Sequence, residues 1–307
     1  MTKGRQRPVM LVWGGELASQ RRLYWRSVLF IWLALIWLMI FLLVPSVLLM
    51  ALGFAQRGPY GEIIWQFTFN NFTRLAGFGL QGWTSDYLWI VGRSVWVATV
   101  TTVVCLLLAY PVTFYIASRR PRARNIWLAL VVVPFCTNLV IRTYAWMLIL
   151  APSMPLARAA QALGLIDPGR ALYPSSFAVY LGMVSSSLPF AILPLYTNVE
   201  RLDWSIVEAA RDLYASKWRV FRHAILPQTL PGLLVAVILT FVPAMGAFVV
   251  PDLLGGAKYM LIGNLMQQQF GASRDWPFGA AASLTLILLT LAGLLAMRRF
   301  GRGVEVV

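Results

Sequence analysis

Polar residues interrupt this chain in only a few places, and long apolar runs lie between them. A helix that crosses a bilayer needs about 20 mostly apolar residues. Val28 to Phe54 is an uncharged run of that kind. Ser94 to Ser118 is a second, held between Arg93 and Arg119. A third runs from Asn125 to about Leu150 and is interrupted only by Arg142. The fourth extends from Ser176 to Val199 and contains Pro189 and Pro194. The fifth extends from Gly232 to Pro251 and ends at Asp252, and the sixth from Phe278 to Met297, ending at Arg298. The pattern predicts an all-α integral membrane protein with six transmembrane helices and both termini on one side.

The polar joints give that bundle an orientation. The N-terminal tail carries six basic residues, the joint between spans two and three four, the joint between four and five another five, and the C-terminal tail three. The other side carries six, among them Arg57, Arg74, Arg170 and Arg274. Basic residues accumulate on cytoplasmic loops, so both termini are expected in the cytoplasm. Composition agrees: 59% of the 307 residues are hydrophobic and 12% charged, far from the roughly one-quarter charged of soluble domains. The net charge of +15 would suggest nucleic acid in a soluble chain. Here it is explained mostly by topology, and no nucleic-acid partner is expected.

The first run is too long for a signal-peptide core and lacks a small-residue cleavage site after it, so it reads as a retained anchor. Glu16 to Arg26 mixes basic residues with Leu17, Leu23, Tyr24 and Trp25. A helix lying among lipid headgroups and a solvated basic tail are equally compatible with it. The expected layout is a cytoplasmic tail over 1–27, a six-helix membrane domain over 28–298 with a cytoplasmic loop at 200–231, and a second tail over 299–307.

Several chemistries are missing. No G-x-x-x-x-G-K-[ST] phosphate loop occurs. His223 is the only histidine, which excludes H-E-x-x-H, a His-based triad and a multi-His metal site. Cys105 and Cys136, both in apolar runs, make neither a disulfide scaffold nor a Cys-rich metal site. No catalytic, metal or cofactor residue is assigned. If ATP supplies energy, another chain must hydrolyse it.

Glu200 to Pro231 is the most informative stretch. Ser205-Ile206-Val207-Glu208 fits a capping box, so a helix should begin near Trp204. Ala209 and Ala210 are small and favour helix. Ser216 is expected to open a second short helix with Trp218, Phe221 and Ile225 on one face, ended by Pro227 and Pro231. Such a projection suits a groove in a partner.

The string Glu208-Ala209-Ala210-Arg211-Asp212-Leu213-Tyr214-Ala215-Ser216, continuing through Ile225-Leu226-Pro227, resembles the EAA loop of bacterial ABC-importer permeases, EAA-x3-G-x9-I-x-LP. Tyr214 stands where that family has glycine, and a tyrosine adopts positive φ only at a cost. Asn138 to Trp146, Pro243 to Gly256, Ile262 to Leu265 and Ala272 to Ala281 are similar to the spermidine/putrescine subfamily, most of all the first of its two permeases. The resemblance implies a type I ABC-importer permease fold in the bacterial inner membrane. It implies that Glu208, Ala209, Ala210, Asp212, Tyr214, Ala215, Ser216 and Pro227 couple the chain to an ATPase. The partners it implies are a second homologous permease, two ATP-binding subunits that hold ATP and Mg, a periplasmic or lipid-anchored solute-binding protein, and membrane lipids. Polyamines are the expected substrate; related permeases handle other amino compounds, opines, phosphonates, thiamine or iron.

Arg142 is the sharpest feature inside a span. Counted along a continuous helix it lies about 24 Å in, where an ionisable group is expected to face protein or an aqueous cavity. It is expected to help form an outer gate with Asp252, which it could meet as an ion pair; snorkelling to headgroups is the alternative. Asn138, Tyr144 and Trp146 flank it, and the two aromatics serve either a cation or an interfacial belt. Pro243 and Gly246 are placed to unwind span five. A stand-alone secondary transporter would need acids within the spans, and none sits in the middle of one. A membrane enzyme would need a nucleophile–base pair, and no such pair is present.

Overall fold

A computed structural model describes residues 31–79, 82–167, 169–256 and 259–301. The tail expected over 1–27, including Glu16 to Arg26, and the last residues 302–307 lie outside them. The chain divides into two compact units, Met1–Leu52 and Gly53–Val307.

The first unit contains most of helix α1 (Ile31–Gly53), uncharged and long enough to span. Residues Met39–Leu43 form a π-helical turn, which ends two residues before Pro45. A proline in a helix lacks an N–H and crowds the carbonyl four residues back. A wider turn relieves that crowding.

The second unit begins with two short hairpins, β1 (Gln56–Arg57) with β2 (Ile63–Ile64) and β3 (Phe78–Gly79) with β4 (Gly82–Trp83), and helix α2 (Asn70–Leu75) between them. Asn71 Nδ2 is buried and donates to the carbonyls of Gly53 and Ala55 at 3.0 and 2.7 Å, which seats α2. Then follow α3 (Asp86–Ala117), α4 (Pro121–Phe135), α5 (Leu139–Ile149), α6 (Pro155–Ala162) and α7 (Ser176–Glu200). After them come α8 (Trp204–Asp212), α9 (Lys217–Met245), α10 (Val249–Gly255), α11 (Ile262–Phe270) and α12 (Trp276–Gly301). Among the described residues, five helices are individually long and apolar enough to cross a membrane, and the bent pair α4–α5 makes six.

Helices α3, α7 and α9 pack together as the core. Their contact faces are small: Ala98, Cys105 and Ala109 on α3, Ala178, Gly182 and Ala191 on α7, Ala236 and Ala244 on α9. Small residues let membrane helices approach closely, where packing rather than hydrophobic exclusion holds them. At Gly182 the fit is tight: a Cβ there would lie 2.5 Å from the Leu254 side chain. The hydroxyls of Tyr110 on α3 and Thr229 on α9 share a 2.5 Å hydrogen bond.

Three expectations are corrected. Span three is not one helix. It breaks after Phe135 and turns by 93° into α5. Pro134 sits in the last turn of α4, and Asn138 caps α5 by accepting the Val140 N–H at 2.8 Å. The 24 Å depth assigned to Arg142 therefore does not hold. Span five ends at Met245 rather than Pro251; residues 246–248 are a break, and Asp252 belongs to the separate helix α10. At its other end, Pro227 and Pro231 do not stop a short helix, because α9 runs unbroken from Lys217. A π-helical turn at Phe221–Ile225, closed by the Leu226 N–H on the Phe221 carbonyl, ends two residues before Pro227, as in α1.

Candidate functional site

Two places gather the residues expected to act. The first is the break in span five. Gly246, Ala247 and Phe248 leave helix, and their carbonyls need partners. Helix α11 supplies one: Asn264 Nδ2 donates to the Phe248 carbonyl at 3.0 Å, while its Oδ1 accepts the Leu261 N–H at 3.3 Å. Gly263 lies so close that a Cβ there would stand 2.6 Å from the carbonyl oxygens of both Gly246 and Ala247. Only glycine fits. These two residues lie in the sequence Ile262-Gly263-Asn264-Leu265, yet nothing local marks them as supports of a break 16 residues earlier.

An open cleft of about 410 Å³ lies beside this break. Arg142, Pro243 and Gly246 line it together, with Ser186, Ser187 and Phe190 from α7. The structure thus unites two features far apart in sequence, the broken spans three and five. Arg142 leans back on α4: its guanidinium donates to the Pro134 carbonyl at 3.2 Å and lies 5.9 Å from the Phe135 ring centroid. Its Nε is buried with no hydrogen-bond partner among the described residues. Phe135 meets Phe190 edge-on, 4.8 Å between centroids. The expected pairing of Arg142 with Asp252 is absent. Their helices α5 and α10 pack, but Asp252 is exposed and forms no ion pair with Arg142.

Tyr144 and Asn138 are exposed, and neither lines the cleft. Trp146 is half-buried, and its indole N–H donates to Ser185 Oγ at 2.9 Å. It braces α5 against α7. Asp275 stands apart from the cleft and is engaged elsewhere. It is buried at the start of α12, accepts Arg74 at 3.1 Å and lies 3.8 Å from Arg57. Arg74 also stacks over Phe278 at 4.4 Å. This clamp ties β1 and α2 to the start of span six.

The second place is the projection after α7. Asp203, not Ser205, caps α8: its carboxylate accepts the Ser205 N–H at 2.9 Å and the hydroxyl at 2.7 Å. Those bonds hold the Asp203 carboxyl below the usual carboxylate range. Gln228 fastens the cap to α9, accepting the Asp203 N–H at 2.9 Å and donating to the Ala224 carbonyl at 2.8 Å. At the other end of α8, Tyr214 takes φ 54°, the left-handed conformation of the family glycine. The Tyr214 N–H reaches the Arg211 carbonyl and the Ala215 N–H the Ala210 carbonyl, which is a Schellman turn. The turn geometry is therefore kept, with a tyrosine under strain.

Leu202, Val207, Val220 and Ala224 form the small core under this projection, joined by Ala210 and Ala215. The inner face of the second helix is thus Val220 and Ala224. Trp218 is exposed and stacked on Phe221 at 5.6 Å. Glu208, Ala209, Asp212 and Ser216 are exposed as well. With Trp204, Ile206, Leu213 and Tyr214 also outside, the projection carries a sizeable apolar patch, the kind that marks a protein contact. Glu200, at the root of the projection, pairs with Arg124 at the start of α4 at 2.7 Å.

Known proteins resemble this chain along most of its length. A family model described as the binding-protein-dependent transport system inner membrane component matches residues 109–306. The spermidine/putrescine transport system permease protein PotB of Escherichia coli (strain K12) is 39% identical over 267 residues, covering 87% of this chain and 94% of the relative. The protein of the same name from Haemophilus influenzae is 38% identical over 253 residues, covering 82% and 86%. Among solved structures, a chain of a bacterial ABC transporter involved in the import of the acidic polysaccharide alginate superposes with a TM-score of 0.68 at 16% identity, covering 95% of this chain and all of that one. That likeness concerns the fold, a type I ABC-importer permease.

Proposed function

The chain belongs to the inner-membrane components of binding-protein-dependent transport systems, and on that premise we propose that it moves polyamines into the cytoplasm as one of two permeases of an ATP-driven importer. The multi-pass inner-membrane placement and the transport role go with the family. Polyamine cargo is supported by the relatives named for spermidine and putrescine, which are 38–39% identical over more than four-fifths of the chain. Both termini lie in the cytoplasm on this reading, supported by the excess of basic residues on their side. ATP and Mg belong to partner ATPases, and a solute-binding protein delivers cargo outside.

The observation that carries the coupling role is the projection after α7. It is anchored by its own small core and by Gln228, so it moves as one body with α9. Its exposed apolar patch and Glu208 face outward, ready for a cleft in an ATPase. Closure of the ATPases would shift α8, and α9 would carry that shift to the break at Gly246–Phe248. The 410 Å³ cleft at that break is this chain's share of the path, with Pro243 and Gly246 in the unwound segment and Arg142 at its gate. Inward-facing and outward-facing states would alternate by rocking.

Proteoliposomes holding the whole importer decide the cargo. Uptake of radiolabelled putrescine or spermidine that requires both ATP and the cognate binding protein is expected; no uptake of either sinks the polyamine reading. Glu208→Arg should leave the complex assembled and ATPase activity present while uptake falls at least tenfold. Unchanged uptake would remove Glu208 from the coupling surface.

A further inference from the structure

At the end of α7 farthest from the coupling projection, about 36 Å away at 1.5 Å per residue, lies an open pocket of about 810 Å³. The transport role makes no use of it. The charged residues that line it are Arg93 of α3 and Arg170 of the loop before α7. Among the described residues, neither a carboxylate nor a histidine lines it. Arg93 is half-buried, its guanidinium 5.3 Å from the ring centroid of Tyr259. Burial, and then Tyr180 beside it, push the Tyr259 phenol up to about 12, so it keeps its proton and can donate. Arg170 stands on the rim, paired with Asp167 at 3.3 Å. Both of those side chains are about three-quarters exposed, and such surface pairs contribute little. A better acceptor can displace Asp167. Asp86 and Arg93 line a neighbouring cavity of about 370 Å³ without forming an ion pair.

The pocket opens onto an apolar stripe. Trp89, Trp96, Val103 and Leu107 lie seven, seven and four residues apart on α3, and all four are exposed. On a membrane-spanning helix this is a face for acyl chains, and tryptophans mark the headgroup level at its end. Two arginines lining one pocket at that level suit a phosphate, which a guanidinium binds through two parallel N–H donors. A polyamine would be repelled, so the pocket lies off the cargo path.

We propose that this pocket binds the phosphate of a membrane phospholipid, held between Arg93 and Arg170, with an acyl chain along the Trp89–Leu107 stripe. Free phosphate offers the same head chemistry but gains nothing from the stripe. The assignment rests on the polyamine cargo proposed above, since an anionic solute would suit the same two arginines.

The test uses the assembled importer in detergent. Native mass spectrometry after addition of phosphatidylglycerol should show a retained lipid. The Arg93→Gln/Arg170→Gln double variant should retain at least about tenfold less, since hydrogen bonds to charged groups are each worth that much or more. Arg93→Lys, which keeps charge but loses the fork, should fall between. Thermal unfolding of each variant separates loss of the lipid from loss of the fold: the double variant should unfold within a few degrees of wild type in lipid-free detergent, yet gain less from added phosphatidylglycerol. Equal retention by the double variant overturns the proposal. So does inorganic phosphate that raises the unfolding midpoint as much as phosphatidylglycerol does, because the source would then be a free anion.

Discussion

Tyr214 shows how a single residue can hold family geometry against its own preference. A non-glycine residue in the left-handed region costs roughly 1–2 kcal/mol. Its ring is almost fully exposed and returns no packing. Tyr214→Gly would relieve that strain, but glycine also gives the unfolded chain about 0.4–1 kcal/mol of extra entropy. A net gain of at most about 1.6 kcal/mol is expected, read as slower hydrogen exchange at Ala215. If the same variant loses uptake while it gains protection, the phenol ring contacts a partner, and the strain is retained for that contact. Asn264 is the opposite case, a buried polar residue with two bonds to backbone. Asn264→Ala strips partners from the Phe248 carbonyl and the Leu261 N–H, at about 1–3 kcal/mol for each group left buried. The importer should unfold several degrees lower and lose uptake; an unchanged midpoint would mean the break supports itself.

At the scale of elements, most helices were legible because hydropathy and length suffice to find a span. Two were not, and for the same reason. A hydropathy window over 125–150 registers apolar content and is blind to direction, so the 93° turn at Thr137 passed unseen. The signal was present in Pro134 and the capping Asn138, but both are also compatible with a straight span. The end of span five was misplaced because Val249, Val250 and Pro251 are as apolar as the helix before Gly246. The capping box at Ser205 was misassigned by two residues, since Asp203 competes for the same N–H groups and has a carboxylate to offer. The EAA string, by contrast, is legible as a motif because its residues stand at fixed spacing, although the helix cap before it and the helix end after it are not. Trp146 ties two of these elements together. Trp146→Phe should cost about 1 kcal/mol through the lost bond to Ser185, measured as a lower denaturation midpoint with uptake largely kept.

Across the whole second unit, long-range pairs of charge determine what pattern alone could not. Asp275 meets Arg74 across 201 residues of sequence, a contact invisible to any local rule. Breaking a buried pair by removing one partner costs about 3–5 kcal/mol; here Arg74 is more than a third exposed and Arg57 stands in reserve, so Arg74→Met should cost less, about 2 kcal/mol. Loss of binding-protein-stimulated uptake, with the coupling projection intact by limited proteolysis, is the expected result. Equal proteolysis at both ends would show that the clamp governs the whole bundle.

The π-helical turn at Phe221–Ile225 has a consequence for deletion mutants. It accommodates one residue more than an α-helical turn would. Because the turn absorbs that residue, the helix on either side keeps its phase. Deleting His223 should restore ordinary hydrogen bonds and leave Ala224 against Leu202 and Val207. A second residue inserted there has nothing to absorb it, and each residue of an α-helix carries 100° of rotation. The projection would then swing about the α9 axis while the membrane core stayed in place. The joint tolerates one residue less and not one residue more, so its slack is already spent.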